Sequence, residues 1–315
     1  MRELTIGKND AGARLDRFLG KALPLLPPAL AQKYIRIKRV KVNGGRAQRD
    51  QRLQEGDVLQ LYINDEFFDK PSEENMFLTL FKPRLTVVYE DEHLLLADKP
   101  QGMVVHADET EKVNTLINHI QAYLYQKREW NPRWENAFAP ALCNRIDRNT
   151  GGIVIAAKDA ETLRLINEKI RLRELDKRYL CVTVGRPKRD SGRAECFLLK
   201  DEQKKQVTVY HKPVPGGKTA ITDYRVLETR GELSLVEIGL ETGRTHQIRV
   251  HMAALGHSLY GDFMYGHEEA GFPRTALHSC HISIKGAGKD ISLYCPPPDI
   301  FFELVGQKPF KPEGL

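Results

Sequence analysis

Asn144-Arg145-Ile146-Asp147-Arg148-Asn149-Thr150-Gly151-Gly152 runs directly into Ile153-Val154-Ile155-Ala156-Ala157-Lys158. The first nine residues are mostly polar and end in two glycines, which marks a turn. The apolar, partly β-branched run that follows predicts a buried strand. A polar turn rooted in a rigid strand is a good place to hold a reactive group. Asp147 stands between Arg145 and Arg148, and positive neighbours favour the ionised, nucleophilic form of a carboxylate. A turn-capping aspartate beside Gly151 accounts for the same residues and stays open on these facts.

Working outward, apolar segments of strand character dominate from Leu85 on: Val87-Val88-Tyr89, Leu94 to Ala97, Tyr179 to Val184, Val207 to Tyr210 and Leu233 to Leu240. Two helices interrupt them. One spans Asp159 to Glu174, with Asp159 as cap and Leu163, Ile166 and Ile170 as an apolar stripe; the other spans Arg244 to Leu255 and stops at Gly256. Strands without strict strand-helix alternation predict an α+β fold with a mainly antiparallel, mixed sheet. The proline-rich tail from Pro296 reads as irregular, and residues 64 to 85, acidic and carrying Pro71 and Pro83, read as a linker. The expected organisation is a small N-terminal α+β unit (1–63), the linker (64–85) and a large domain (86–310).

Charge supports that division. Residues 1 to 63 hold 13 Lys/Arg against 6 Asp/Glu, which leaves 35 against 36 for the rest of the chain. A compact basic unit on a nearly neutral body suits a nucleic-acid tether attached to a second function. Within it, Pro27-Pro28 opens a short amphipathic helix whose Lys33 and Arg36 lie on the face opposite Leu30 and Tyr34. Val40-Lys41-Val42-Asn43-Gly44 and Gly56 to Ile63 supply strands. The five cysteines are scattered without zinc spacing, so reduced thiols and no metal are expected. No run approaches the roughly 18 apolar residues of a membrane helix, and the N-terminus lacks a secretory core. A soluble, cytoplasmic protein follows as the expectation.

Two further segments carry chemistry. In Gly243-Arg244-Thr245-His246-Gln247-Ile248-Arg249-Val250-His251-Met252, Arg249 falls at the margin of the stripe formed by Ile248, Met252 and Leu255. A guanidinium there needs an anion. Asp147 would serve, as would Glu241 at the surface. In Lys177-Arg178-Tyr179-Leu180-Cys181, alternation puts Tyr179 on the less apolar face, as a stacking and proton-handling phenol or as a packing tyrosine.

The three segments, in this order, resemble the RluA family of pseudouridine synthases over roughly residues 86 to 296. Asp98-Lys99-Pro100-Gln101-Gly102-Met103-Val104-Val105-His106 and Tyr260-Gly261-Asp262 agree as well. The resemblance implies that Asp147 is the nucleophile, that Tyr179 stacks on the target uracil and assists removal of the proton at ring carbon 5, and that Arg249 pairs with Asp147. Arg145 would hold the flipped nucleotide. The substrate-binding set is Arg145, Arg148, Thr150, Arg244 and His246, and no cofactor is needed. Asn144 stands where many members have His, and Gly151 where many have Ser. Residues 14 to 63 resemble the S-four-type RNA-binding domain, with Lys33, Arg36, Lys38, Arg39 and Lys41 as the RNA-facing set. Lys38 stands where that family usually has glycine.

The expected partner is structured RNA, ribosomal first and transfer RNA second, with no membrane and no obligatory protein partner. A retaining glycoside hydrolase would need a second carboxylate about 5 Å from the first, and no obvious one presents itself. His246, His251 and His257 match no zinc-helix motif. A non-enzymatic RNA-binding or ribosome-assembly factor is the rival reading, although pure binding does not need Asp147.

Overall fold

The computed structural model describes residues 1–68, 72–132, 135–201, 203–266, 272, 274–286 and 289–315; Pro71 lies outside the described residues. The N-terminal unit comprises β1 (Arg2–Thr5), α1 (Leu15–Ala22), α2 (Pro28–Arg36), β2 (Val40–Val42), β3 (Gly45–Arg46) and β4 (Val58–Leu61), with sheet order β1-β4-β2-β3. Leu15, Phe18, Leu19, Val40, Leu59 and Leu61 are at most 1% exposed and form its core. Lys38 ends α2 in the left-handed region at φ 64°, which explains why glycine suits this position.

The body carries β5 (Thr86–Glu90), β6 (Leu94–Lys99), α3 (Leu116–Gln126), β7 (Ala141–Leu142), β8 (Gly151–Ala157), α4 (Ala160–Leu172), β9 (Asp176–Val184), β10 (Ser191–Asp201), β11 (Gln206–Tyr210), β12 (Lys218–Arg230), β13 (Leu233–Leu240), α5 (Gln247–Ala254), β14 (Leu277–Ile284), β15 (Ile291–Tyr294) and α6 (Ile300–Glu303). The sheet runs β11-β10-β12-β13-β9-β14-β8-β6-β5, with β15 paired to β14 and β7 to β8. Every pairing is antiparallel except that of β14 with β8, which rests on His278 opposite Gly151 and Ser279 opposite Gly152. The α+β, mainly antiparallel architecture is the expected one.

Both faces of the central strands are covered. Val154 and Ala156 of β8 point into a core shared with Ile120 and Leu124 of α3, while Ile153 and Ile155 meet Ile166 of α4 and Ile282. Asp159 caps α4 by accepting from the Thr162 amide at 2.8 Å. Tyr179 and Cys181 of β9 join Ile248 and Met252 of α5 on one face, and Leu180 and Val182 meet Phe301 and Phe302 on the other.

The tail after Pro296 is irregular apart from the four-residue α6, and it packs into the body, because Phe301 and Phe302 of α6 are fully buried. Two expectations change. The segment 64–85 contains 3-10 turns at Asp65–Phe68 and Ser72–Thr79; Phe67 and Phe68 pack on the N-terminal core, and Phe77, 1% exposed, stacks obliquely on Trp130 with centroids 5.1 Å apart. The helix expected from Arg244 begins only at Gln247, because His246 takes φ 53° and breaks the helical path.

The N-terminal unit is tied to the body by amides. Asn9 donates to Glu135 at 2.9 Å and accepts from the Ala160 amide at 3.1 Å, while Asn136 donates to the Thr5 carbonyl at 2.7 Å and to Asp10 at 3.0 Å.

Candidate active site

The turn between β7 and β8 holds Asp147. The Thr150 amide closes it by donating to the Asp147 carbonyl at 3.1 Å, and the Asn144 side chain accepts from the Ile155 amide at 2.8 Å, pinning the turn to its strand. From beneath, Lys99 is 0% exposed and its Nζ donates to the carbonyls of Pro100 (3.0 Å), Met103 (2.8 Å) and Arg148 (3.1 Å). Three acceptors match the three donors of a lysine ammonium. Burial pulls this group down to about 7, against the opposing pull of the Asp147 charge. The Gly102 amide also donates to the Arg148 carbonyl, at 2.7 Å.

Gly152, at φ 104°, makes the close approach to β14 possible, since a Cβ there would stand 2.2 Å from the Ser279 carbonyl oxygen. A Cβ on Gly151 would come 2.9 Å from Nδ1 of His278.

Helix α5 brings the cation. Gln247 is 2% exposed and satisfied at both ends: it donates to the Ile221 carbonyl and the Thr222 hydroxyl, both at 2.9 Å, and accepts from the Thr242 hydroxyl and the Arg244 amide. His251 bonds Thr222 at 2.9 Å and lies 2.8 Å from the Cys196 thiol. With its first and second turns fixed to β12, the helix aims Arg249 at the Asp147 turn. The Arg249 guanidinium, 7% exposed, forms a two-pronged pair with Asp262, Nε to Oδ2 and Nη2 to Oδ1 each at 2.7 Å. Its remaining Nη1 reaches Oδ2 of Asp147 at 3.5 Å. The Tyr265 ring lies under the guanidinium, 5.1 Å from its centroid.

Asp147 itself keeps 29% of its side chain exposed. His246 approaches the same oxygen as Arg249, Nε2 4.0 Å from Oδ2. The Tyr265 hydroxyl accepts from the Val207 amide at 2.9 Å and bonds Nδ1 of His246 at 2.8 Å. With that hydroxyl donating to Nδ1, the His246 proton sits on Nε2, toward Asp147. Burial pushes the His246 imidazole below its usual value, and the Asp147 charge pulls the other way. Tyr179, 6% exposed, is pushed up to about 12, first by burial and then by the charge of Asp147. It is a neutral phenol at neutral pH.

The structure brings Asp147, Arg249 and His246 together and sets Tyr179 within electrostatic reach of Asp147. Arg145 stays exposed at the lip of the turn. Arg148 turns away instead, to Asp108 at 2.8 Å and the Thr110 hydroxyl at 2.6 Å. Thr150 is 2% exposed, and Arg244 donates to the Thr219 carbonyl at 3.0 Å. The cation that meets Asp147 is therefore Arg249 from α5 rather than an arginine beside it in sequence. Sequence reasoning missed Asp262, Tyr265, Lys99 and Gln247 as parts of the site; Asp262 and Lys99 had a signal in the motif agreement around them, but nothing that assigned them partners. In the N-terminal unit, Lys33, Arg36, Lys38 and Arg39 are exposed and Lys41 is partly so. Lys33 and Arg36 border an open cleft of about 650 Å³ together with Arg46 and Arg49.

Among the described residues, no helix is long and apolar enough to cross a membrane. Comparison with known proteins gives two family matches: residues 93–254 fit the model of RNA pseudouridylate synthase, and residues 13–59 that of the S4 domain. An RNA pseudouridine synthase of Chlorobaculum parvum is 34% identical over 86% of this chain and 80% of its own length, and one of Synechocystis is 32% identical over 95% and 90%. Ribosomal large subunit pseudouridine synthase D of Nitrosomonas europaea is 29% identical over 90% and 80%. Among solved structures, Human RNA Pseudouridylate Synthase Domain Containing 4 shares the fold at a TM-score of 0.57 and 20% identity, over 73% of this chain and 94% of that one.

Proposed function

We propose, since this chain belongs to the RNA pseudouridylate synthase family, that it isomerises selected uridines of ribosomal RNA with Asp147 as the nucleophile. The chain is an RNA pseudouridine synthase, an isomerase, with an S4 domain at its N-terminal end.

One observation supports the assignment of Asp147 above the rest. Its carboxylate is open to solvent on one side and held on the other by a guanidinium whose other donors are taken by Asp262. A nucleophile needs an exposed lone pair in a fixed direction, and a cation that cannot drift keeps it aimed. A carboxylate so placed weakens phosphate binding, so its presence fits chemistry better than adhesion.

The proposed sequence begins with extrusion of the uridine, which costs a few kcal/mol and is offset by stacking worth about 1–3 kcal/mol per base. Asp147 attacks, the glycosidic bond breaks, the uracil turns within the site, ring carbon 5 joins the sugar as the bond to Asp147 breaks and frees the carboxylate, and carbon 5 loses its proton while the freed ring nitrogen takes one up. Tyr179, as a neutral phenol, walls the site and stacks on the ring; proton acceptance is the harder half of its proposed role. Arg145 meets the backbone of the flipped nucleotide from the lip, and His246 flanks the carboxylate. The reaction uses no cofactor. Ribosomal RNA is the proposed substrate because the related Nitrosomonas and Zymomonas proteins are named ribosomal large subunit pseudouridine synthase D and because the S4 domain exposes Lys33, Arg36, Lys38 and Arg39.

The test is tritium release from uracil labelled at carbon 5, in ribosomal and transfer RNA from cells lacking this protein. Wild type is expected to release tritium from ribosomal RNA. Asp147→Asn is expected to lose at least about 10³-fold in rate while keeping RNA affinity. Release from transfer RNA alone would reassign the substrate. Tight binding without release by either protein would make the chain an RNA-binding factor.

A further inference from the structure

Three side chains that the catalytic site leaves unused meet behind the catalytic turn. Asp98 lies near the end of β6, His278 in β14, and Cys295 one residue beyond β15; one ligand atom from each falls within 4.8 Å of the others. His278 is 4% exposed and Cys295 5%. Neither ring nitrogen of His278 makes a well-formed hydrogen bond, the Cys295 backbone offering only a weak one. A buried polar group left in that state calls for an explanation, and Gly151, whose absent Cβ would stand 2.9 Å from Nδ1, leaves the imidazole its room.

We infer that Asp98, His278 and Cys295 form a binding site for a thiophilic divalent cation, zinc being the ion that suits the donors best. One sulfur, one nitrogen and one carboxylate oxygen are a borderline-soft set, and zinc takes all three at about 2.0–2.3 Å, which puts ligand atoms roughly 3.5 Å apart in a tetrahedron. Small side-chain rotations close the cluster to that size, and a water fills the fourth position on the half-exposed side of Asp98. Without the ion the Cys295 thiol bonds the Asp98 carboxylate. On binding, the thiol proton leaves to solvent as the sulfur–metal bond forms, with no change of oxidation state. Thiolate and carboxylate then balance the two positive charges, so the loaded site is neutral, one unit more positive than the empty one, beside Lys99, whose own charge bears on His278. The ion would clip β6 to the β14–β15 hairpin, next to the two residue pairs that alone join β14 to β8. Its role is bracing the foot of the catalytic turn.

Full-length protein stripped with a chelator and titrated with Zn²⁺ by calorimetry tests this, with Co²⁺ as an optical probe. The expected result is one equivalent bound, about one proton released per ion, a thiolate-to-cobalt absorption band and a higher Tm. Cys295→Ser and His278→Ala should each weaken binding by more than the ~10–100-fold typical of losing an outer partner, and the milder Asp98→Asn should weaken it less. Absence of stoichiometric binding to wild type overturns the proposal without recourse to any variant. Binding that survives Cys295→Ser and Asp98→Asn, or a cobalt spectrum without a thiolate band, also overturns it by moving the ion elsewhere on the protein.

Discussion

The cations of the S4 domain and those around Asp147 are the same residue types used in opposite ways. Lys33, Arg36 and Lys38 are exposed and, among the described residues, have no acidic partner. Arg249 and Lys99 are buried with each described donor assigned: Arg249 to Asp262 and Asp147, Lys99 to three carbonyls. A free cation on a long stem can follow a phosphate wherever the RNA presents it, which gives affinity without reading sequence. A clamped cation cannot follow anything, and that is why it can orient a carboxylate. Tethering and catalysis thus require different degrees of freedom from one kind of charge.

The comparison breaks most easily at the clamp. Asp262→Ala leaves Arg249 buried with only the longer contact to Asp147 and is expected to cost about 3–5 kcal/mol of stability, read by urea unfolding. A loss below about 1 kcal/mol would mean that the fork with Asp262 is not what holds the guanidinium.

Lys99 sharpens it through pH. Its folded value of about 7 lies below the ordinary 10.5, so between those limits the unfolded chain binds the extra proton and stability rises with pH. This contribution is complete above pH 10.5 and is lost as pH falls through about 7. Unfolding midpoints across that window should rise for wild type relative to Lys99→Met, and parallel curves would show that the buried ammonium holds its proton.

The tether should give a smaller and different effect. Replacing Lys33 and Arg36 by alanine is expected to weaken RNA binding about tenfold and to flatten the salt dependence by roughly 1.5 in log–log slope, at 0.7–0.9 per phosphate contact. Turnover on saturating RNA should not change. Smallest of all, Lys38→Gly removes one cation yet relieves a left-handed lysine at φ 64°, so the domain should gain about 1 kcal/mol in thermal unfolding while losing little affinity.

Strands and helices with strong periodicity were legible in the sequence: β8, β13 and α4 lie where the apolar patterns put them. The long β10 and β12 were harder to see, because their half-exposed faces mix charged and apolar residues, as in Lys218–Arg230. Phe301 and Phe302 hid in a tail whose prolines suggest irregular chain, and only tertiary packing reveals them as core. At the site, the pairing of Asp147 with Arg249 was legible only through the family resemblance, since the residues alone left Glu241 open as the partner. The flanking Arg148 was not legible as a residue turned away, since the choice between Asp108 and Asp147 is made in three dimensions. Asp98, His278 and Cys295 are too far apart in the chain for any spacing rule to join them.

The position of β14 bears on when the molecule can first work. Asp147 precedes β8 on one half of the sheet, whereas Tyr179 and Arg249 belong to the other half, and among the described residues the halves join through β14, residues Leu277–Ile284. That strand follows Asp147, Tyr179 and Arg249 in the chain. Contacts this distant in sequence form late, so the S4 domain can fold long before Asp147 and the Arg249 guanidinium can meet.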